Sequence, residues 1–145
     1  EAAHQQKFDP IYYGSDGWGT QQNVLESLGK LNVLSDFVGY LNSYWHQESN
    51  RPELKKFSAD YQKSFGRAPD GWAAIAYDSA KMLFEAIYQS ESFNTETVAK
   101  TLQWTEFKSM MTAPKIKFEK DHSPKKTLYL YEISAHRAEF KAALE

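Results

Sequence analysis

Leu54, Phe57, Tyr61 and Phe65 stand three and four residues apart, the spacing of one face of an α-helix. Pro52 suits the first turn of that helix, and Gly66 supplies its end. A longer stretch of the same kind runs from Trp72 to Tyr88, with Trp72, Ile75, Ala76, Ala80, Leu83 and Ile87 on one predicted stripe. Pro69 and Asp70 precede it as a stop and an N-cap. Asn94 is placed to cap a shorter helix carrying Val98 and Leu102. Farther on the period changes to two. "KIKFE" and "TLYLYEI" predict two strands joined across the polar "KDHSPKK", a linker with turn-forming residues and one proline.

The first fifty residues are less regular. Glu1–Lys7 reads as the tail of a helix and Pro10–Tyr13 as a short buried strand ending at Gly14. Gln22–Leu28 predicts a weak helix stopped by Gly29. Phe37–Trp45, "FVGYLNSYW", is rich in β-branched and aromatic residues and predicts a strand. "DGW" occurs at Asp16 and again at Asp70, but the flanks differ and no repeat is implied. Helices interspersed with strands make the fold class α/β, and 145 residues is the size of one domain.

Composition narrows the function by exclusion. A formal net charge of -2 and a pI near 6.1 give no electrostatic pull toward nucleic acid or an anionic surface. No apolar run approaches the ~20 residues that span a bilayer. The chain has no cysteine, which removes disulfides and thiolate sites but fits an oxidising compartment as well as a reducing one. It opens mid-phrase on Glu1-Ala2-Ala3, without a signal peptide, as a chain does that has lost a leader or a longer N-terminal region. The histidines, 4, 46, 122 and 136, are never three or four apart, so no metal site and no cofactor are expected. There is no phosphate-loop G-K-[ST], and no G-x-S-x-G surrounds a serine. Nothing points to an enzyme.

One stretch carries candidate chemistry. In "YYGSDGWGT", Gly14, Gly17 and Gly19 form G-x-x-G-x-G, which is not the dinucleotide fingerprint. Asp16 nevertheless sits on a glycine turn after a predicted strand, where open α/β sheets expose their ligand crevice. Trp18 is placed to wall an apolar pocket. Two readings stand side by side: Asp16 caps the turn, or it meets a ligand.

Three strings carry a resemblance: "ELKKFSADYQKSFGRAPDGWAAIAYDSAKMLFEAI", "NTETVAKTLQ" and "KIKFEKDHSPKKTLYLYEI". With the "F..Y...FG..P" helix, the "AYD" at Ala76–Asp78 and the "F-x-x-D-H-x-P-x-K" turn at Phe118–Lys126, the chain resembles the leucine/isoleucine/valine-type periplasmic binding proteins over about Phe8 to Phe140. These are the extracytoplasmic receptors of branched-chain amino-acid ABC transporters. The resemblance implies a type I fold of two flavodoxin-like lobes with a C-terminal β-hairpin. Residues 1–145 would then be a C-terminal segment of it, a fragment or an incomplete two-lobe receptor. The implied protein is not an enzyme. It holds a small amino acid, such as a branched-chain aliphatic one, in an interlobe cleft.

By position in the family's "G-G/S-D/E-G-W" turn, Asp16 would take the ligand's ammonium, a charged triple donor that a carboxylate matches well in a water-poor cleft. Trp18 would lie at the side-chain end of the ligand or tether the turn. Tyr44 and Trp45 would line the cleft mouth or pack, while Tyr77 and Asp78 would satisfy neighbouring backbone. The implied partners are the small-molecule ligand, a membrane permease reached through the full-length receptor, and either the missing N-terminal lobe or a second copy. The implied location is periplasmic or extracellular, with a lipid anchor in a Gram-positive source. Thr112-Ala113-Pro114 and Glu119 depart from the family's pattern around one turn. The remaining alternatives are a same-fold module for an amide, urea or aromatic acid, and a small α/β enzyme.

Overall fold

The structure, a computed structural model, describes residues 6, 10–18, 21–30, 38–46, 50–134 and 137–144, with the side chain of Asp16 excepted. The chain falls into two compact units, residues 1–44 with 128–145 and residues 45–127. The predicted helix tail over Glu1–Lys7 lies outside the described residues apart from Gln6, a turn residue.

The first unit is a four-stranded sheet of order β1-β2-β6-β7, built from β1 (Tyr12–Gly14), β2 (Val38–Ser43), β6 (Leu128–Ser134) and β7 (Arg137–Leu144). β1 and β2 run parallel, with Tyr12 opposite Gly39 and Gly14 opposite Leu41. β2 with β6, and β6 with β7, run antiparallel. Alternation in β6 turns Tyr129, Tyr131 and Ile133 to a buried face. There Ile133 joins Leu41 and Val24, the latter from helix α1 (Gln21–Lys30). Leu25 and Leu28 pack on the same cluster. Gly29 does not stop this helix, which continues through it to Lys30.

The second unit holds α2 (Pro52–Phe65), α3 (Gly71–Ser90) and α4 (Thr95–Trp104), with the short strands β3 (Phe107–Lys108), β4 (Lys115–Phe118) and β5 (Pro124–Lys125). The helix ends follow the sequence signals. Gly66 adopts φ 69° and its N–H donates to the Gln62 carbonyl, closing α2. Asp70 accepts from the Ala73 N–H at 2.9 Å, and Asn94 from the Thr97 N–H at 3.1 Å. One cluster buries Met82, Ala86, Val98, Phe107, Met110, Ala113 and Ile116. A second buries Trp45, Leu54, Ala74 and Met111.

Further expectations change. Pro10–Tyr13, predicted as a buried strand, is exposed at Ile11 and Tyr13. The buried face of α3 is Ala74, Asp78, Met82 and Ala86, whereas Trp72 and Leu83 of the predicted stripe are 53% and 44% exposed. Ile87 of that stripe does pack on the core, and the helix is apolar on both sides, so periodicity alone left its buried face undecided. β4 does not pair with β6. It turns back on β5, with Phe118 opposite Pro124, and the C-terminal hairpin is β6–β7. β7 escaped prediction because "RAEFKAAL" places alanines and charges where alternating bulky residues would mark a strand. Its extra residue, Lys141, forms a bulge between the pairs Leu130↔Ala142 and Tyr131↔Phe140.

Candidate functional site

Within "YYGSDGWGT", Tyr12–Trp18 folds as β1 followed by a single 3₁₀ turn, Asp16–Trp18, in which the Trp18 N–H donates to the Ser15 carbonyl at 2.9 Å. Gly14 is demanded by contact. A Cβ built there would lie 2.1 Å from Cδ2 of Trp18, so the indole rests directly on the glycine backbone. Gly17 has room for a side chain, its nearest neighbour being Ser15 Oγ at 3.7 Å. The indole therefore tethers the turn to the end of its strand while Trp18 stays 40% exposed. Of the two roles weighed for Trp18, contact with the ligand's side chain and a core tether of the turn, the contact with Gly14 fits a tether, though the residue is not in a core.

Topology places the turn. β1 and β2 are parallel and in register through Gly14↔Leu41, so Asp16 and Tyr44 both follow the carboxyl ends of neighbouring strands. That edge of a parallel pair is where α/β sheets present loops and ligands. Tyr44 is half-buried there, in a bend directly after β2.

Trp45 lies elsewhere in environment. It opens the second unit, is 4% exposed, and meets Phe57 edge-on with ring centroids 6.0 Å apart. Its Cβ would stand 3.3 Å from a Cβ added at Gly71. Its ring packs with Leu54, Ala74 and Met111 in a buried cluster of that unit.

Of the pair expected to satisfy backbone, Asp78 does so fully. It is buried and accepts from the Met111 N–H at 2.6 Å, the Thr112 N–H at 2.8 Å and Thr112 Oγ1 at 2.7 Å. Arg51 binds the same segment from outside, donating to the carbonyls of Met110 at 2.8 Å and Met111 at 2.6 Å. The turn that departs from the family's pattern is thus held at both its amides and its carbonyls. Tyr77 is instead half-exposed, its ring 5.0 Å from that of Phe57. It borders an open groove of about 350 Å³ with Phe57, Tyr61, Lys56 and Lys81. The charges of that groove are engaged: Lys56 pairs with Asp60, and Lys81 donates to the carbonyls of Lys108 and Ser109.

A polar array on the opposite face of the first unit's sheet had no sequence signal. Tyr13 stacks on Tyr40 at 5.4 Å, and the Tyr40 hydroxyl donates to Glu132 at 3.3 Å. Lys141 bridges Glu132 at 3.4 Å and Glu139 at 2.8 Å. The negative charge of Glu132 and its hydrogen bond push the Tyr40 phenol above its ordinary pKa. The hydrogen bond from Lys141, with the charge of Arg137 behind it, holds Glu139 below the usual carboxylate range. Strand register brings these residues together across long sequence separations, and no local pattern encodes that. Among the described residues, no group of three His, Asp or Glu is placed to hold a metal ion, and no helix is long and apolar enough to cross a membrane.

The periplasmic binding protein family matches residues 1–138. The chain belongs to that family. No curated protein sequence matches it. Solved structures share its fold. A leucine-binding protein from Thermotoga maritima aligns with a TM-score of 0.79 at 20% identity, over 99% of this chain and 40% of its own. The branched-chain amino-acid transporter substrate-binding protein of Streptococcus pneumoniae, in complex with isoleucine, aligns at 0.71 and 21% identity, over 98% of this chain and 38% of its own. A solute-binding protein from R. palustris, in complex with benzoate, aligns at 0.68 and 14% identity, over 98% and 44%. The chain therefore spans about 40% of the length of the first of these relatives and has the α/β fold of part of a type I periplasmic binding protein.

Proposed function

We propose that the chain is the ligand-contacting part of an extracytoplasmic receptor that delivers a small amino acid, such as a branched-chain aliphatic one, to the permease of an ABC transporter. The observation that carries this reading is the Asp16–Trp18 turn at the carboxyl end of β1, beside the end of β2. Asp16 meets the ligand's α-ammonium, and Trp18 and Tyr44 flank the apolar side chain. Trp45, buried against Phe57 and Leu54, is left to packing. Support comes from the family and from the leucine- and isoleucine-named relatives. The benzoate-bound relative keeps an aromatic acid as the second reading. An aromatic acid brings no ammonium to Asp16, and a carboxylate facing a carboxylate is repulsive, so the presence of Asp16 favours the amino acid.

Affinity in such receptors is reached when the protein closes around the solute. An exposed carboxylate by itself holds an ammonium with only ~0–1 kcal/mol. The 145-residue chain alone is therefore expected to bind free amino acids at millimolar concentration or more weakly. The test is calorimetric titration of leucine, isoleucine, valine and benzoate into the receptor translated from the whole reading frame. Asp16→Ala removes charge-assisted bonds of ~1.5–3 kcal/mol each, so amino-acid affinity falls at least tenfold while the circular dichroism spectrum is retained. Unchanged amino-acid affinity refutes the role of Asp16. Binding of benzoate but of no amino acid selects the second reading.

A further inference from the structure

The solvent face of the second unit's small sheet is cationic. β3, β4 and β5 lie in that order in one three-stranded sheet. Lys108 stands directly opposite Lys115, and Lys117 directly opposite Lys125. Residues paired across strands share a face, and so do residues two apart on one strand. All four lysines are therefore on the same side of the sheet, and all four are exposed. The other side carries Phe107, Ile116 and Phe118, which pack into the core. Alternation has sorted these strands into one apolar and one cationic face.

Within the chain that arrangement is unfavourable. Like charges directly opposite each other destabilise a strand pair, and here the opposition occurs twice. Lys115 has Glu106 at 3.5 Å, while Lys108, Lys117 and Lys125 meet no carboxylate among the described residues. From Glu106 to Lys126 six lysines stand against three acids, in a chain whose formal net charge is -2. The net charge, which gave no pull toward an anionic surface, averages over a locally positive one. The residue type narrows the partner. Arginine is enriched and lysine depleted in desolvated protein interfaces, and every cation on this face is a lysine. Lysine carries a hydrated point charge on a flexible stem, which suits a surface whose anions are themselves hydrated and mobile. No apolar side chain of these strands shares the face to anchor a dry contact. We propose that Lys108, Lys115, Lys117 and Lys125 dock on the anionic phospholipid headgroups of the membrane beside which the receptor works. The contact is electrostatic and reversible. It rests on the reading of the chain as part of a transport receptor, but not on which solute Asp16 meets.

Co-sedimentation of the receptor translated from the whole reading frame with lipid vesicles tests it. Vesicles of equimolar phosphatidylglycerol and phosphatidylcholine are compared with vesicles of phosphatidylcholine alone. The receptor partitions more strongly onto the anionic vesicles, and the difference shrinks as salt is added. A lysine near an anionic surface contributes about fivefold in partitioning, ~1 kcal/mol, so Lys117→Gln combined with Lys125→Gln lowers it roughly 25-fold. Without vesicles the same double variant holds or raises its thermal midpoint, because one opposed pair is gone. Lys56→Gln combined with Lys100→Gln removes equal charge from α2 and α4 and leaves partitioning nearly unchanged. Equal partitioning onto the two vesicles overturns the proposal. So does an equal loss from the two double variants, which traces binding to net charge. Binding of a poly-glutamate peptide but of neither vesicle also overturns it, and assigns the face to an acidic protein. Calorimetric titration of leucine into the same preparation keeps the two readings apart: leucine binding without vesicle binding sinks the docking alone.

Discussion

Asp78 is the most consequential single side chain that the structure identifies in the second unit. Both of its oxygens accept, one from the Met111 N–H and the other from the Thr112 N–H and Thr112 Oγ1. The groups it serves lie in Met110–Ala113, a buried non-helical segment whose amides have no helix ladder to fall back on. Asp78→Ala strands those donors. Leaving one buried donor unmet costs about 1–3 kcal/mol, but partial relaxation and water entry keep three from summing in full. The expected loss is ~3–5 kcal/mol, the lower part of the sum for three stranded donors. Against a total stability of ~5–15 kcal/mol for a domain, that is enough to put the unit near unfolding. Asp78→Asn keeps shape and one acceptor while presenting an amide NH₂ to a donor, for ~1–3 kcal/mol. Thr112→Val removes only the hydroxyl bond, for about 1 kcal/mol. Hydrogen exchange at the Met111 and Thr112 amides, with the urea midpoint, reads all three variants. The order Ala, Asn, Val in decreasing damage follows from the geometry. Equal urea midpoints for Asp78→Ala and wild type, with both amides still protected, would refute the reasoning.

Two further predictions concern the first unit. Gly14→Ala places a methyl against the Trp18 indole and expels it at a cost of ~1–3 kcal/mol; acrylamide then quenches Trp18 more readily, and adding Trp18→Ala relieves the clash. Unaltered quenching would mean that the ring does not lie on the glycine. The Tyr40 phenol titrates above its ordinary value of 10.0 because Glu132 disfavours the phenolate; a raised pKa means that its contribution to stability is full below pH ~10 and disappears as pH climbs through the raised value. Absorbance titration of Glu132→Gln should bring Tyr40 back toward 10.0, and an unchanged titration curve would dismiss the pairing.

What the sequence made legible was set by local physics. Gly66, Asp70 and Asn94 act within one turn of their own backbone, so the ends of α2, α3 and α4 could be read from residue type. The start of the α2 stripe could be read too, with Leu54 buried and Phe57 packed on the same cluster, but Phe65 at its end is 65% exposed. The partner of β4 could not. Pairing of "KIKFE" with Pro124-Lys125 rather than with "TLYLYEI" depends on a turn in which His122 takes φ 66° and Asp121 accepts from both the N–H and the hydroxyl of Ser123. Nor could the two-unit division, since the first unit takes its third and fourth strands from beyond residue 127. For the candidate site, residue type and the glycine turn brought out Asp16 and Trp18, and the parallel pairing of β1 with β2 adds Tyr44 to the same edge. Trp45 shows the limit. Its neighbour in sequence ends one unit, and its own ring is fixed by Leu54, Phe57 and Met111 of the other, contacts that no spacing in "NSYW" foretells.

The misread face of α3 follows from the same physics, seen from the other side. A periodic apolar stripe states that a surface is to be buried, but it does not state when, or by what. In α3 two such stripes coexist, and the sequence reading took the one with the larger residues, Trp72 and Leu83 among them; of that stripe only Ile75 and Ile87 are half-buried. The structure buries the one with small residues and an aspartate, Ala74, Asp78, Met82 and Ala86. That choice is decided by Asp78. An uncompensated carboxyl group is expensive to bury, and the Met110–Ala113 segment offers it three donors, which favours the side bearing Asp78 facing that segment. Leu83 and Trp72 are left on the outside by this constraint rather than by any tolerance for water.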